Sequence, residues 1–121
     1  MRKKMLALVL AFTFVLALGA TAFAASGTYS GITWTTSSSC TTSRAYVCMT
    51  TNKEAELEAY GVVTYYNGAT GKNETYVLNP YGESTTRVSG TWNAGTGRTV
   101  KKLATTYKVK GKVVYNDTFN Q

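Results

Sequence analysis

Along residues 54–65 the chain alternates, with Ala55, Leu57, Ala59, Val63 and Tyr65 on one parity and Glu54, Glu56, Glu58 and Thr64 on the other. A period of 2 places each set on its own face of an extended strand, whereas a helix would scatter both around its surface. The pattern overrules the helix formers Lys-Glu-Ala-Glu-Leu-Glu-Ala at 53–59 and predicts a half-exposed strand. Residues 44–51 alternate in the same way, with Ala45, Val47 and Met49 against Tyr46, Cys48 and Thr50. Thr, Tyr and Val are abundant and proline occurs once, so strands are the expected element throughout.

Candidate strands cover 31–39, 44–51, 53–66, 74–78, 83–92, 99–109 and 112–119. Between them fall a hairpin around 41–44, a reversal at Asn67-Gly68 and Thr70-Gly71, and a turn at Asn79-Pro80-Tyr81-Gly82. A loop at 93–98 and a last hairpin at Lys110-Gly111 complete the series. About seven strands, with turn signals every ten or so residues, predict an all-β fold: a small antiparallel β-sandwich or barrel.

The first residues predict an address. Arg2, Lys3 and Lys4 precede an apolar run of roughly 14 residues, too short for the ~20 that span a bilayer as a helix. Ala22-Phe23-Ala24 then supplies the small-x-small pattern read by signal peptidase. The expectation is a helical signal peptide over 1–24, cleaved after Ala24, and one secreted domain over 25–121. No cysteine follows the apolar run closely enough for lipid attachment, and the compact Lys-rich leader points to a Gram-positive bacterium.

Export decides how Cys40 and Cys48 are read. Outside the cytoplasm a pair of cysteines forms a disulfide more readily than a metal site, and the chain has no histidine to complete one. A bridge across the 41–44 hairpin, with both cysteines on one face, would close a loop of about nine residues worth roughly 2.5 kcal/mol. No metal and no cofactor is expected.

The chain carries a formal charge of +7, and the three basic residues of the leader account for three of it. Residues 25–86 hold three basic side chains against five glutamates, whereas residues 87–121 hold seven against Asp117 alone. The expected partner is an anionic cell-wall polymer, a carbohydrate or a membrane surface, the anionic ones drawn by the positive C-terminal part. Nucleic acid is a poorer partner for an exported chain that bears no nucleic-acid motif. Arg98, Lys101, Lys102, Lys108, Lys110 and Lys112 are the candidate contacts, with Trp92 and Tyr107 as aromatic neighbours. The nine tyrosines and two tryptophans exceed what a core of this size needs, so some rings are expected on the surface, where they can stack on sugars.

Catalytic groups are thin. With no histidine there is no side chain that ordinarily titrates near neutrality, and nothing evident activates a serine or threonine. Glu56 and Glu58 lie two apart on one strand face, roughly 7 Å from each other, a spacing that a glycosidase pair can have. A wet outer face explains them more simply. The expectation is a non-catalytic binding or cell-surface module, with an antimicrobial and then a small hydrolase as the next readings.

The tail, with Lys102-Leu103-Ala104, Tyr107 and Val113-Val114-Tyr115-Asn116, resembles the secreted β-sandwich bacteriocins of the lactococcin type. Those chains are basic and rich in Tyr, Thr and Gly, and the resemblance implies interference with cell-wall synthesis in related bacteria. Cys40 and Cys48 depart from it.

Overall fold

The computed structural model describes residues 21–121. Residues 1–20, most of the expected leader, lie outside the described residues. Seven strands follow one another: β1 (Thr21–Tyr29), β2 (Ile32–Thr41), β3 (Arg44–Asn67), β4 (Lys72–Leu78), β5 (Tyr81–Asn93), β6 (Arg98–Val109) and β7 (Lys112–Asn120). They form a nearly closed antiparallel barrel, with no helix among the described residues. Of the two architectures the strand count allowed, the barrel is the one adopted.

The barrel is organised around β3, which runs for 24 residues and pairs with four other strands. Its first half lies between β2 and β5, and its second half between β6 and β4. The sequence reads as two strands here, 44–51 and 53–66, parted at Asn52. The chain instead stays extended there and bends through register shifts between Thr50, Ala55 and Leu57. Side chains replace ladder bonds at the bend: Asn52 Oδ1 accepts the Thr33 N–H at 2.9 Å, and Thr51 Oγ1 donates to the Lys53 carbonyl at 2.7 Å.

Pro80 makes a corner, where the sequence predicts a reversal. Both β4 and β5 lie antiparallel on the same flank of β3, from Asn67↔Lys72 to Gly61↔Leu78 and onward from Glu58↔Tyr81 to Arg44↔Asn93. Proline lacks a ladder donor, so the pairing is interrupted at Asn79-Pro80 and resumes in line. Its carbonyl still takes the Ala59 N–H at 3.0 Å. The true reversals at Ser30-Gly31 and Lys110-Gly111 have positive φ at both central residues, 52° and 74° in the first and 52° and 76° in the second. That is the two-residue geometry whose twist matches a hairpin, and glycine takes the second position without a Cβ penalty.

β1 is a strand that the sequence does not announce. Residues 21–24, expected in the leader, pair with residues 37–40 of β2 and continue the register that ends at Tyr29↔Ile32.

Alternate residues fill the interior: Ile32, Trp34 and Cys40 from β2, Ala45, Val47, Met49, Leu57, Ala59 and Val63 from β3, and Leu103, Tyr107 and Val109 from β6, where a register shift beside Lys101 changes the parity and brings in Val100. Three polar side chains are buried among them and each finds a partner. Thr36 donates to the Ala25 carbonyl, Thr105 to the Asp117 carbonyl, and the Ser38 hydroxyl hydrogen-bonds the Tyr107 hydroxyl.

The expected disulfide does not form. Cys40 stands opposite Ala45 and Cys48 opposite Ser37. An odd offset in a period-2 ladder puts two residues on opposite faces, so Cys40 enters the interior while Cys48 lies on the outer face. Both are buried free thiols.

Candidate functional site

The second half of β3 folds back beside the first, which gathers the ends of several strands at one end of the barrel. Backbone bonds tie that end together: Ala94 N–H to the Ser43 carbonyl at 2.9 Å, Val100 N–H to Thr42 at 2.7 Å and Gly68 N–H to Gly97 at 2.8 Å. The Gln121 side chain adds a bond to the Cys40 carbonyl at 2.8 Å.

Four side chains meet there. Trp92 on β5 packs against Tyr65 on β3, with ring centroids 4.7 Å apart, and stacks on Tyr76 of β4 at 5.5 Å. The Arg98 guanidinium at the start of β6 lies 5.7 Å from the Tyr65 ring centroid, within cation–π range. Trp92 and Tyr76 come together because their register partners Ala45 and Val63 both face the side of β3 that lines the interior. With β3 bent, their strands converge without a ladder between them. Tyr65 is buried and Trp92 half-buried, whereas Tyr76 remains 46 % exposed, so an aromatic surface opens to solvent beside the guanidinium.

Polar groups frame the rings. Glu74 accepts hydrogen bonds from the Tyr65 hydroxyl and Asn67 Nδ2, each at 3.0 Å, and from the Thr70 hydroxyl at 3.3 Å. These bonds, led by that of Asn67, hold its carboxyl below the ordinary carboxylate range, with Arg98 adding in the same direction. The same carboxylate raises the Tyr65 hydroxyl above its usual pKa, first through the hydrogen bond. The arrangement offers a stacking surface, a fixed negative charge, an amide and a guanidinium, the set of groups that holds a hydroxylated ring bearing an anionic substituent.

The basic residues singled out from sequence divide into two groups. Arg98, Lys101 and Lys102 lie at the aromatic end, the lysines exposed. Lys108, Lys110 and Lys112 lie at the far end of β6 and the turn after it, roughly 33 Å from Arg98 at ~3.3 Å per residue. There Lys108 Nζ stands 4.0 Å from the Glu58 carboxylate, and the Lys110 N–H bonds the Glu56 carbonyl at 2.9 Å. Of the second group Lys108 faces a glutamate carboxylate, whereas Arg98, Lys101 and Lys102 gather at the aromatic end. Tyr107, expected beside the lysines, is fully buried and turned toward Ser38. Burial raises its hydroxyl pKa above the ordinary value.

The Glu56 and Glu58 carboxylates are each engaged with a neighbour. Glu56 accepts the Tyr81 hydroxyl at 2.9 Å and Glu58 faces Lys108. The Tyr81 hydroxyl is raised by that hydrogen bond and by the surrounding glutamates. Among the described residues, no group of three or more His, Cys, Asp or Glu side chains is placed to hold a metal ion.

Tyr65, Tyr76, Glu74 and Asn67 are site residues that the sequence does not single out. The excess of tyrosine announces that some rings will be exposed, but only the bend of β3 decides which ones meet. In comparisons with protein families, curated proteins and solved structures, nothing matches this chain. The bacteriocin resemblance of the tail thus has no matching relative behind it.

Proposed function

We propose that this chain is an exported, non-catalytic module that binds an anionic polysaccharide of the cell surface on the Tyr76–Trp92 shelf. The observation that carries the reading is the stacked pair itself, with Tyr76 46 % exposed and Trp92 packed on Tyr65, whose ring and hydroxyl engage Arg98 and Glu74. A sugar ring presents C–H groups to the aromatic faces and hydroxyls to Glu74 and Asn67, while Arg98, Lys101 and Lys102 attract the charged substituents. The absence of histidine and the engaged state of Glu56 and Glu58 favour binding over turnover.

The test is retention of the purified protein on cell-wall polysaccharide, with and without anionic substituents, over a salt series. Binding is expected to weaken as salt screens the exposed charges, with a residue of affinity left to stacking. Trp92→Ala is expected to lower affinity by roughly tenfold or more, on the scale of one lost stacking platform. Equal binding by Trp92→Ala and the unaltered chain would remove the shelf from the site.

A further inference from the structure

β1 is an edge strand, and a cut after Ala24 divides it into two halves. In the full chain the departing half is firmly seated. Thr21, Ala22, Phe23 and Ala24 pair with Cys40, Ser39, Ser38 and Ser37. Phe23 is half-buried against the core, and its ring stacks on Tyr115 of β7 at 6.0 Å and 10°. Tyr115 in turn meets Trp34 at 6.1 Å and Tyr107 at 6.4 Å. This aromatic row seals the seam where β1 approaches β7.

Hydrolysis of the Ala24–Ala25 peptide bond adds hydroxide to the Ala24 carbonyl carbon and a proton to the Ala25 nitrogen. The ladder of β1 then ends at Ala25↔Thr36. The edge of β2 at 37–40 loses its strand, and Tyr115 loses its stacked ring. Exposed edges are ordinarily blunted by lysine, proline or a bulge. Residues 37–39 are three serines, and the register of β2 through them is regular.

On the strength of the export reading, we infer that the processed protein uses this edge as a β-augmentation groove, which captures an extended segment of another polypeptide bearing an aromatic residue between small ones. The chain's own residues 21–24 define the occupant. Main-chain bonds to residues 37–40 supply affinity, and the slot beside Tyr115 and Trp34 selects the aromatic side chain. The captured strand runs antiparallel to β2, and its small flanking residues fall on the outer face, where Ala22 and Ala24 lie exposed in the full chain.

The experiment uses protein collected from the culture medium, with its mass showing a start at Ala25 and its circular dichroism showing β structure. The probe is a synthetic peptide of residues 19–24, Gly-Ala-Thr-Ala-Phe-Ala. Saturable binding is expected, read as a change in tryptophan emission and as slowed amide exchange confined to residues 37–40 and their neighbours. Replacing the peptide's phenylalanine by alanine is expected to weaken binding at least about tenfold. Tyr115→Leu, which keeps the seam filled, is expected to weaken it in the same sense. A β-structured, correctly cut protein that ignores the peptide overturns the groove alone. Secreted protein that begins at or before Phe23 also overturns it, because the edge is then never uncovered. An intact chain recovered from inside cells overturns the export reading and the groove with it.

Discussion

Cys40 and Cys48 are separated by a short hairpin and yet face opposite sides of it, one toward the barrel interior and the other toward its outer surface. Tethering the two sulfurs would require the strand pair to slip by an odd number of residues, which would turn every core residue of β2 outward. The packing of Ile32, Trp34, Thr36 and Ser38 forbids that slip.

The protein is therefore expected to retain two free thiols. Mass spectrometry after alkylation in denaturant should find both modified, and alkylation without denaturant should be slow because each cysteine is buried. Burial, the larger influence, raises the Cys40 thiol above its usual pKa and slows its reaction further. A reducing agent is expected to leave the unfolding midpoint where it was. A mass lower by two hydrogens would contradict this.

Tyr107 and Ser38 share a hydrogen bond in the interior, each with almost no exposure. Tyr107→Phe removes one partner and leaves the Ser38 hydroxyl buried without it, so a loss of roughly 1–3 kcal/mol is expected in denaturant unfolding. Adding Ser38→Ala should recover much of that loss, since a buried pair replaced on both sides leaves no orphan. The coupling is read from the four unfolding curves of the double-mutant cycle.

Much of this architecture is legible in the sequence because it depends on local chemistry. The alternation at 54–65 and 44–51 identifies strands correctly, and Lys110-Gly111 marks its hairpin. What escapes is decided by partners distant in sequence. Asn52 reads as the gap between two strands, and only the bonds to Thr33 and within the bend show why the strand continues. Pro80 reads as a reversal, since sequence cannot show that β4 and β5 share a flank of β3. The site is half legible. Trp92 and Arg98 stand out in the sequence and do meet around Tyr65, whereas Tyr107 has the same composition signal as Tyr76 and lies inside. Parity does not separate those two tyrosines, because both point to the inner face and only the opening between β4 and β5 exposes one.

Gly27 lies opposite Trp34, and the tryptophan ring covers it. A Cβ at that position would stand 2.6 Å from Trp34 Cζ2, closer than packed carbon atoms approach. Trp34 is itself only 7 % exposed and has no room to retreat. Gly27→Ala is expected to destabilise the barrel by roughly 1–3 kcal/mol, as overpacking does in a dense interior. The measurement is the shift in denaturant midpoint at unchanged slope. Gly71→Ala tests a different effect, since nothing lies within 4 Å of its Cβ and only its positive φ resists.

Tyr115 couples the seam to alkaline pH. Its hydroxyl donates to Asp117 Oδ2 at 3.1 Å, and burial together with that carboxylate pushes its pKa from 10.0 to about 12. The proton is held more tightly in the folded chain than in the unfolded one, so the stabilisation is complete below about pH 10 and is lost as pH rises through about 12. Unfolding followed between those limits should show stability falling steadily. Tyr115→Phe keeps the ring against Phe23, Trp34 and Tyr107 but has no proton to lose, so its stability should fall less over the same interval. Tyr65, Tyr81 and Tyr107 are raised as well and leave a residual slope in the variant. Identical slopes for the two proteins would show that the Tyr115 proton is not what holds that seam, and would place the alkaline sensitivity on the other tyrosines.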